Sequence, residues 1–387
     1  MLRYLTAGES HGKSLTAIIE GIPAGLNLLE GDINSELARR QKGYGRGKRM
    51  EIEKDEVEIT SGVRLGKTLG SPITLVIRNR DWENWKKLMS IHPLEKVETE
   101  HFDRPRPGHA DLAGALKYNE KDLRNVLERS SARETTGRVA AGAVVKKFLA
   151  EFGIVVMSYV VEVGGIKAEI PDLPLDEVFS WAEDSELRCP DKIAELKMKD
   201  RIEEVKNKGD SVGGIFEVVV RNVPPGLGSF MQWDLRLDGR MAQALMSIQA
   251  IKGVEIGIGF EAGRQPGSQV HDEIFYDQSK KRFFHRTNRA GGIEGGVSNG
   301  EDIVVRAAMK PIATLYSPLQ SVNLRTKEPE LASVERSDIC RVPSASVIAE
   351  AAMALEIGRA FLEKFGGDSL DETRRNYQGY INQLSNF

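Results

Sequence analysis

At 387 residues the chain is long enough for one large core or two ordinary domains, and its 40% hydrophobic and 29% charged content is that of a folded, water-soluble protein. Its 54 basic and 57 acidic residues leave a net charge of only −3, which gives no global field for nucleic acid or a membrane surface, so any anion must be met by local basic clusters. Cys189 and Cys340 stand far apart with neither in a CxxC pair, so no disulfide framework or zinc site is expected.

The start, Met1-Leu2-Arg3-Tyr4, lacks an apolar signal segment, and no run approaches the roughly 18 apolar residues of a membrane span; a cytoplasmic protein is the expectation. The loop Gly8-Glu9-Ser10-His11-Gly12 comes first. Its glycines let backbone N–H groups approach a ligand, and a histidine exchanges protons near neutral pH. A tight turn with an exposed histidine explains this loop equally well. Residues 15–19 follow as a buried strand, ended by Ile22-Pro23-Ala24-Gly25-Leu26. Asp32 fits the N-cap of a helix that carries Ile33 and Leu37 on one face and runs to about Gln41.

Arg39, Arg40, Arg46, Lys48 and Arg49 then surround Gly43, Tyr44, Gly45 and Gly47. Charge alone reads as a solvated face; the interleaved glycines favour a mobile loop that folds over an anion. Residues 51–60 alternate Val57 and Ile59 with charged side chains and read as a strand. In Arg104-Pro105-Arg106-Pro107-Gly108-His109-Ala110-Asp111, prolines restrain two arginines beside a second histidine. That suits binding and protonating a departing phosphate, with a rigid surface turn as the alternative.

Glu128-Arg129-Ser130-Ser131-Ala132-Arg133-Glu134-Thr135-Thr136 leads into a helix expected over 132–152, with Ala141, Val145, Phe148 and Phe152 on one face and Gly137 and Gly142 as local weak points. Hydroxyls and helix N-terminal N–H groups meet two arginines here, a cradle for phosphate or carboxylate. A capping box, Ser131 with Glu134, accounts for the segment without needing the arginines. Residues 191–208 read as a surface helix or short insertion with Ile193, Leu196, Ile202 and Val205 on its apolar side.

Gly291-Gly292-Ile293-Glu294-Gly295-Gly296-Val297-Ser298-Asn299-Gly300 matches no nucleotide fingerprint and fits a hairpin loop as well as a binding loop. Lys310-Pro311-Ile312-Ala313-Thr314 and Glu335-Arg336-Ser337-Asp338 complete the polar segments; Asp338 is either the partner of Arg336 or a catalytic carboxylate in a basic site. Residues 343–365 form an Ala-rich helix with Val347, Ala351, Leu355 and Leu362, before a polar, loosely attached tail over 366–387.

Val219-Val220-Arg221-Asn222-Val223-Pro224-Pro225-Gly226-Leu227 aligns with Ile18-Ile19-Glu20-Gly21-Ile22-Pro23-Ala24-Gly25-Leu26. Each copy is followed by a helix (33–41, 236–248) and a Val-Glu-Ile strand (57–59, 254–256). Three matches in one order indicate a duplicated unit, approximately 1–150 and 210–365, within a single domain spanning 1–387. Strands and helices mix without a βαβ rhythm, so an α+β layered fold is expected. A catalytic-metal spacing, a nucleophile elbow and a dinucleotide fingerprint are all missing, which weakens hydrolase, kinase and ordinary dehydrogenase readings.

Together these segments resemble chorismate synthases, along essentially the whole chain. The resemblance implies a duplicated β-α-β sandwich, a homotetramer, and a carbon–oxygen lyase acting on phosphate. The substrate would be 5-enolpyruvylshikimate 3-phosphate, which loses phosphate and a ring hydrogen by anti 1,4-elimination to give chorismate. The family requires reduced FMN (FMNH2) without net redox change. Some members reduce it with NADPH and others depend on an external flavin reductase; the lack of an extra domain or dinucleotide motif favours the latter.

By the same resemblance His11, His109 and Asp338 are catalytic, and Arg40, Arg46, Arg49, Arg106, Ser131, Arg133 and Arg336 hold the substrate anions. Flavin contacts fall at Arg129, Ser130, Ser131, Gln249, Ala250, Gly295, Lys310, Pro311, Ile312, Ala313, Thr314 and Arg336. Relatives often carry Asn where Gln249 stands, and both present an amide. His11, among glycines, is assigned to the flavin; His109, beside restrained arginines, to the phosphate. Asp338 would assist removal of the ring hydrogen. Two non-enzyme readings compete. A flavin or phosphate-ligand binding protein would not need both histidines and Asp338 together. A nucleic-acid binder built on the Gly-Arg loop conflicts with the near-neutral charge and 6% aromatic content.

Overall fold

A computed structural model describes residues 1–45, 54–93, 102–335 and 337–387. The first half supplies β1 (Arg3–Ala7), β2 (Ser14–Glu20), α1 (Glu30–Gln41), β3 (Val57–Ser61) and β4 (Ile73–Arg78). Then come α2 (Asp111–Tyr118), α3 (Arg124–Ser130) and α4 (Thr135–Ala150). The second half has β5 (Val155–Val163), β6 (Ile166–Lys167), α5 (Lys192–Asn207), β7 (Gly214–Arg221), α6 (Leu237–Met246), β8 (Ile251–Ile256) and β9 (Ile303–Met309). It ends with α7 (Val342–Phe365) and α8 (Leu370–Leu384).

The strands form two antiparallel sheets, β1-β2-β4-β3 and β6-β5-β7-β9-β8. Leaving out the two-residue β6, the sheets share one pattern: β1, β2, α1, β3, β4, α4 recurs as β5, β7, α6, β8, β9, α7. This is the expected α+β sandwich of two similar halves. In the first sheet Leu15, Ala17 and Ile19 pair in register beside Ile77, Leu75 and Ile73, all buried, while Ile18 faces outward. Period-two burial follows from one face lying on helices. In the second, Phe216 to Val220 are buried on both faces, because the helix Leu175–Asp184 covers the outer side through Val178 and Phe179.

Helices α4 and α7 form the middle layer, and burial all around α4 replaces the single apolar face expected for it. Gly137 and Gly142, read as weak points, are contact points: a Cβ at 137 would lie 3.1 Å from Thr6 Cγ2 and one at 142 would lie 2.4 Å from that of Ala351, while on α7 one at Gly358 would lie 2.3 Å from Val145 Cγ1. α1 crosses α4, and α6 packs on α7.

Several boundaries differ from expectation. α1 begins at Glu30, so Asp32 is its third residue; its carboxylate accepts from Leu29 N at 2.9 Å. Of the strand read over 51–60, residues 51–53 lie outside the described residues, and the rest is strand from Val57 to Ser61. The buried stripe of α5 is Ala194, Met198, Ile202 and Val205, leaving Ile193 and Leu196 exposed. The tail is docked: α8 lays Tyr377 and Tyr380 against Phe365, with ring centroids 5.3 and 5.6 Å apart, and Leu370 N donates to Ala24 O. Among the described residues, no helix is long and apolar enough to cross a membrane.

Candidate active site

The glycine loop turns between β1 and β2. Gly8 has φ +104°, and a Cβ there would lie 2.4 Å from Ser14 O, so the turn requires glycine. α3 holds the loop from beneath. Ser10 N donates to Glu128 O at 2.9 Å, His11 N donates to Glu128 Oε2 at 2.8 Å, and His11 Nδ1 lies 2.9 Å from Glu128 Oε1. Arg129 donates to Gly8 O and Thr6 O, and Asn79 Nδ2 to Ser10 O and Gly12 O. His11 is buried, 7% exposed, so the exposed-turn reading fails. The Trp85 ring stacks on the imidazole at 3.8 Å, covering one face of it. Burial alone would raise the Glu128 carboxyl, but hydrogen bonds from His11 and the charge of Arg124 hold it below its usual value.

The second histidine stands in the same order of groups. His109 Nδ1 lies 2.6 Å from Asp111 Oδ1 at the start of α2, and Arg106 Nε donates to Asp111 Oδ2 at 2.8 Å. Burial opposes ionisation of Asp111, yet the bonds from His109 and Arg106 keep its carboxyl well below the usual range. Arg106 Nη1 also reaches Thr314 Oγ1 at 2.9 Å. Only one of the two proline-restrained arginines turns inward; Arg104 is exposed, 3.8 Å from Glu330. The Phe102 ring lies 5.7 Å from both the Arg106 and the Arg124 guanidinium carbons, linking the two histidine clusters.

The N-terminal approach to α4 forms the third part. Ser131 Oγ accepts from Arg133 N, so half of the capping box is present; Glu134 turns instead to Thr6, Arg138 and Gln249. Ser131 Oγ also donates to Ser10 Oγ at 3.2 Å, tying this turn to the glycine loop. Arg133 Nη1 lies 2.6 Å from the buried Asp55 carboxylate, and Arg40 Nη1 lies 3.5 Å from it. Arg40 Nε donates to Thr135 Oγ1, and Ser130 Oγ donates within its own helix to Leu127 O. At the start of α7, Arg341 Nε donates to Asp338 Oδ2 at 2.5 Å. Arg341, Ala132, Thr135, Gln249 and Ser344 line a cavity of about 20 Å³.

From the second half, Lys310 N donates to Ala250 O, and Lys310 Nζ donates to Gly108 O, joining 249–250 to the His109 turn. Burial and the charge of Lys252 lower the Lys310 ammonium pKa. Ala313 stands 3.8 Å from where a Cβ on Gly108 would be, Ile312 O accepts from Ser211, and Pro311 is exposed. Gln249 Oε1 is buried with no hydrogen-bond partner among the described residues. Gly295 stands apart: it is exposed at the turn of a hairpin whose Ile293 and Ser298 are buried, and its carbonyl accepts from Arg236.

His11, Arg40, Arg106, His109, Arg129, Ser131, Arg133, Gln249, Ala250, Lys310, Thr314 and Asp338 are thus joined through a few shared contacts. Arg46, Arg49 and Arg336 lie outside the described residues. Tyr44, read as part of a loop closing over an anion, is fixed to the second half: its N donates to Glu186 O and its hydroxyl to Glu203. Sequence reasoning passed over Glu128, Asp111, Asp55 and Trp85. Glu128 and Asp111 stood inside quoted motifs; the only signal was an acid near arginines. Asp55 and Trp85 had none. No group of three or more His, Cys, Asp or Glu side chains placed to hold a metal occurs among the described residues.

A profile of the family described as chorismate synthase matches residues 2–362. The chorismate synthase of Geobacter metallireducens is 62% identical over 393 residues, covering 100% of both chains. That of Aquifex aeolicus is 59% identical, covering 100% of this chain and 99% of the other. A crystal structure of chorismate synthase superposes with a TM-score of 0.81 at 49% identity, covering 100% of this chain and 99% of that one.

Proposed function

The chain belongs to the chorismate synthase family, and on that premise we propose that the joined His11 and His109 clusters are where it carries out the family's reaction. It is a lyase acting on a phosphate ester: 5-enolpyruvylshikimate 3-phosphate loses phosphate and a ring hydrogen to give chorismate. One observation carries the placement: two histidines each lie on a buried carboxylate that also holds an arginine, those two arginines share the Phe102 ring, and Ser131 ties the His11 loop to Arg133 of the Arg40–Asp55–Arg133 cradle.

In this reading Arg40, Arg106, Arg133 and Ser131, with Arg46, Arg49 and Arg336, bind the substrate's phosphate and carboxylates. Asp55 and Asp111 keep their guanidiniums fixed, so little side-chain freedom is lost on binding. His109, with Asp111 at Nδ1, is set to give a proton to the leaving phosphate. Asp338, held by Arg341, assists departure of the ring hydrogen. His11 would keep a bound flavin in one ionic state by exchanging a proton at its imidazole.

The family requires a reduced flavin, and we take it to be FMN. The residues present fit such a ring: the buried Gln249 Oε1, without a partner among the described residues, awaits an N–H donor, beside Ala250 in the left-handed region at φ +68°. Arg129, Ser130, Lys310 and residues 311–314 would hold it, with Gly295 the weakest assignment because of its separate position. When bound, reduced flavin supplies reversible electron density to an elimination with no net redox change. Exposed Phe230, Met231 and Trp233 support assembly of copies into the homotetramer, and we take 1–387 as one domain of the cytoplasm.

The test is an anaerobic assay of purified protein with substrate and FMN. Chorismate formed with dithionite but not with NADPH supports the reading together with an external flavin reductase. Chorismate with NADPH alone moves the reductase activity into this chain. No product with either reductant overturns the placement.

A further inference from the structure

Glu128 does more than support a turn. A single buried residue grips His11 at the backbone and at the ring: Oε2 accepts His11 N at 2.8 Å, Oε1 lies 2.9 Å from Nδ1, and its carbonyl accepts from the adjacent Ser10 N. Because backbone and imidazole are bound by one carboxylate, rotation of the ring about its side-chain bonds breaks a contact that the main chain keeps in place. Trp85, stacked at 3.8 Å with planes 28° apart, blocks the swing out of plane, and its own Nε1 is tied to Asp81 Oδ2 at 2.8 Å.

The electrostatics point the same way. Among the described residues, Glu128 and Arg124 from α3 and the indole of Trp85 face His11; Arg124 Nη1 donates to Glu128 Oε1 at 3.2 Å, and its guanidinium carbon lies 5.3 Å from the Trp85 ring. Glu335 approaches Arg124 from the other side at 3.7 Å. An ionised carboxylate is acceptor-only, so the imidazole nitrogen facing it must carry the hydrogen. In the neutral ring the proton then sits on Nδ1, and Nε2 is the basic nitrogen.

We propose that Glu128 is a positioning residue for His11: it commits Nδ1 as the hydrogen-bond donor to the carboxylate, so that proton exchange in the site runs through Nε2. Trp85 completes the clamp by holding the ring plane. The proposal rests on the placement of His11 in the active site given above. It assigns to Glu128 a task that neither the helix nor the glycine loop needs for folding, since a neutral glutamine would still accept the His11 N–H.

The test uses the full-length enzyme labelled with 15N-histidine, the His11 signals being identified by their loss in His11→Ala. The two ring nitrogens are read above the pH at which the ring protonates, without substrate. The wild type should show the Nδ1–H tautomer, Glu128→Asp should keep it, and Glu128→Gln should move it towards Nε2–H. In turnover, Glu128→Gln should lower kcat about 10-fold or more, the scale of an ill-set proton-transfer group, with a smaller change in KM. Added to His11→Ala, the same substitution should cost little further. An Nε2–H tautomer in the wild type, an unchanged tautomer in Glu128→Gln, or the full loss recurring on the His11→Ala background would overturn the proposal. If Glu128→Gln fails to fold, Glu128→Asp and the wild-type tautomer carry the test. Failure of the underlying placement shows differently: the expected tautomers, with kcat indifferent to His11→Ala, overturn the role of His11 itself.

Discussion

Replacing Gly142 by alanine should destabilise the protein although alanine is the better helix former. Gly142 lies in α4 where that helix meets α7, and an added Cβ would lie 2.4 Å from Ala351 Cβ, 2.6 Å from its Cα and 3.0 Å from its carbonyl oxygen. Comfortable carbon contacts are about 3.5–4.0 Å, so the helices must part by roughly 1 Å. The obstacles are backbone and a methyl stem, which cannot rotate away. Overpacking of this kind costs about 1–3 kcal/mol, and the upper end applies here. The gain in helix propensity is about 1 kcal/mol, leaving a net loss of about 2 kcal/mol. Gly379 in α8 is the control: a Cβ there meets nothing within 4 Å, so Gly379→Ala should stabilise by about 1 kcal/mol. Urea unfolding midpoints of the two variants, measured at equal protein concentration, should move in opposite directions. A Gly142→Ala protein as stable as the wild type would refute the close approach of the two helices.

His109→Ala should slow turnover about 10²-fold or more, the range for losing an acid catalyst, and near-normal kcat would remove it from the phosphate. Asp55→Asn weakens the carboxylate shared by Arg40 and Arg133; it should raise KM for substrate and destabilise the fold by about 3 kcal/mol, read from steady-state kinetics and thermal unfolding. An unchanged KM would clear the cradle from the substrate site. Asp111 should contribute to acid sensitivity. Burial works against its charge, but His109 and Arg106 hold its folded pKa below the ordinary 3.8, so its stabilisation is present above that value and lost as pH falls through the folded one. Stability of the wild type should therefore drop more steeply than that of Asp111→Asn as the pH is taken down from about 5, and parallel curves would contradict this linkage.

Much of the architecture was legible because local periodicity and tertiary burial agree. Alternation in Leu15, Ala17 and Ile19 is the imprint of a sheet with one covered face, and the recurring Pro-Gly-Leu turns mark equivalent strand ends in both halves. Agreement ends where an element is buried on more than one side. In α4 and α7 small residues all around the helix replace a stripe, and a one-face reading takes Gly142 for a weakness. The polar composition of 366–387 hid the docking of α8, in which two tyrosines meet Phe365 at the end of the preceding helix. The site divides in the same way. Its histidines and arginines sit in punctuated loops and declare themselves; the acids that orient them do not. Asp55 lies between two charged residues, as a surface aspartate would, and only its meeting with Arg40 and Arg133 gives it a task.

The middle layer also sets when this protein can begin to work. The first sheet closes through neighbours in sequence, but α4 gains its long partner only from α7, roughly two hundred residues later in the chain. Asp338 and Arg341 arrive with that same helix, and Gln249 and Lys310 flank strands β8 and β9 of the second sheet. A nascent chain emerging from the ribosome can thus complete its glycine loop early, but the His109 turn waits for Lys310 and Thr314, and the site stays unfinished until the last helices have been synthesised and docked. Activity during synthesis should appear as a late step, not as a gradual rise with length.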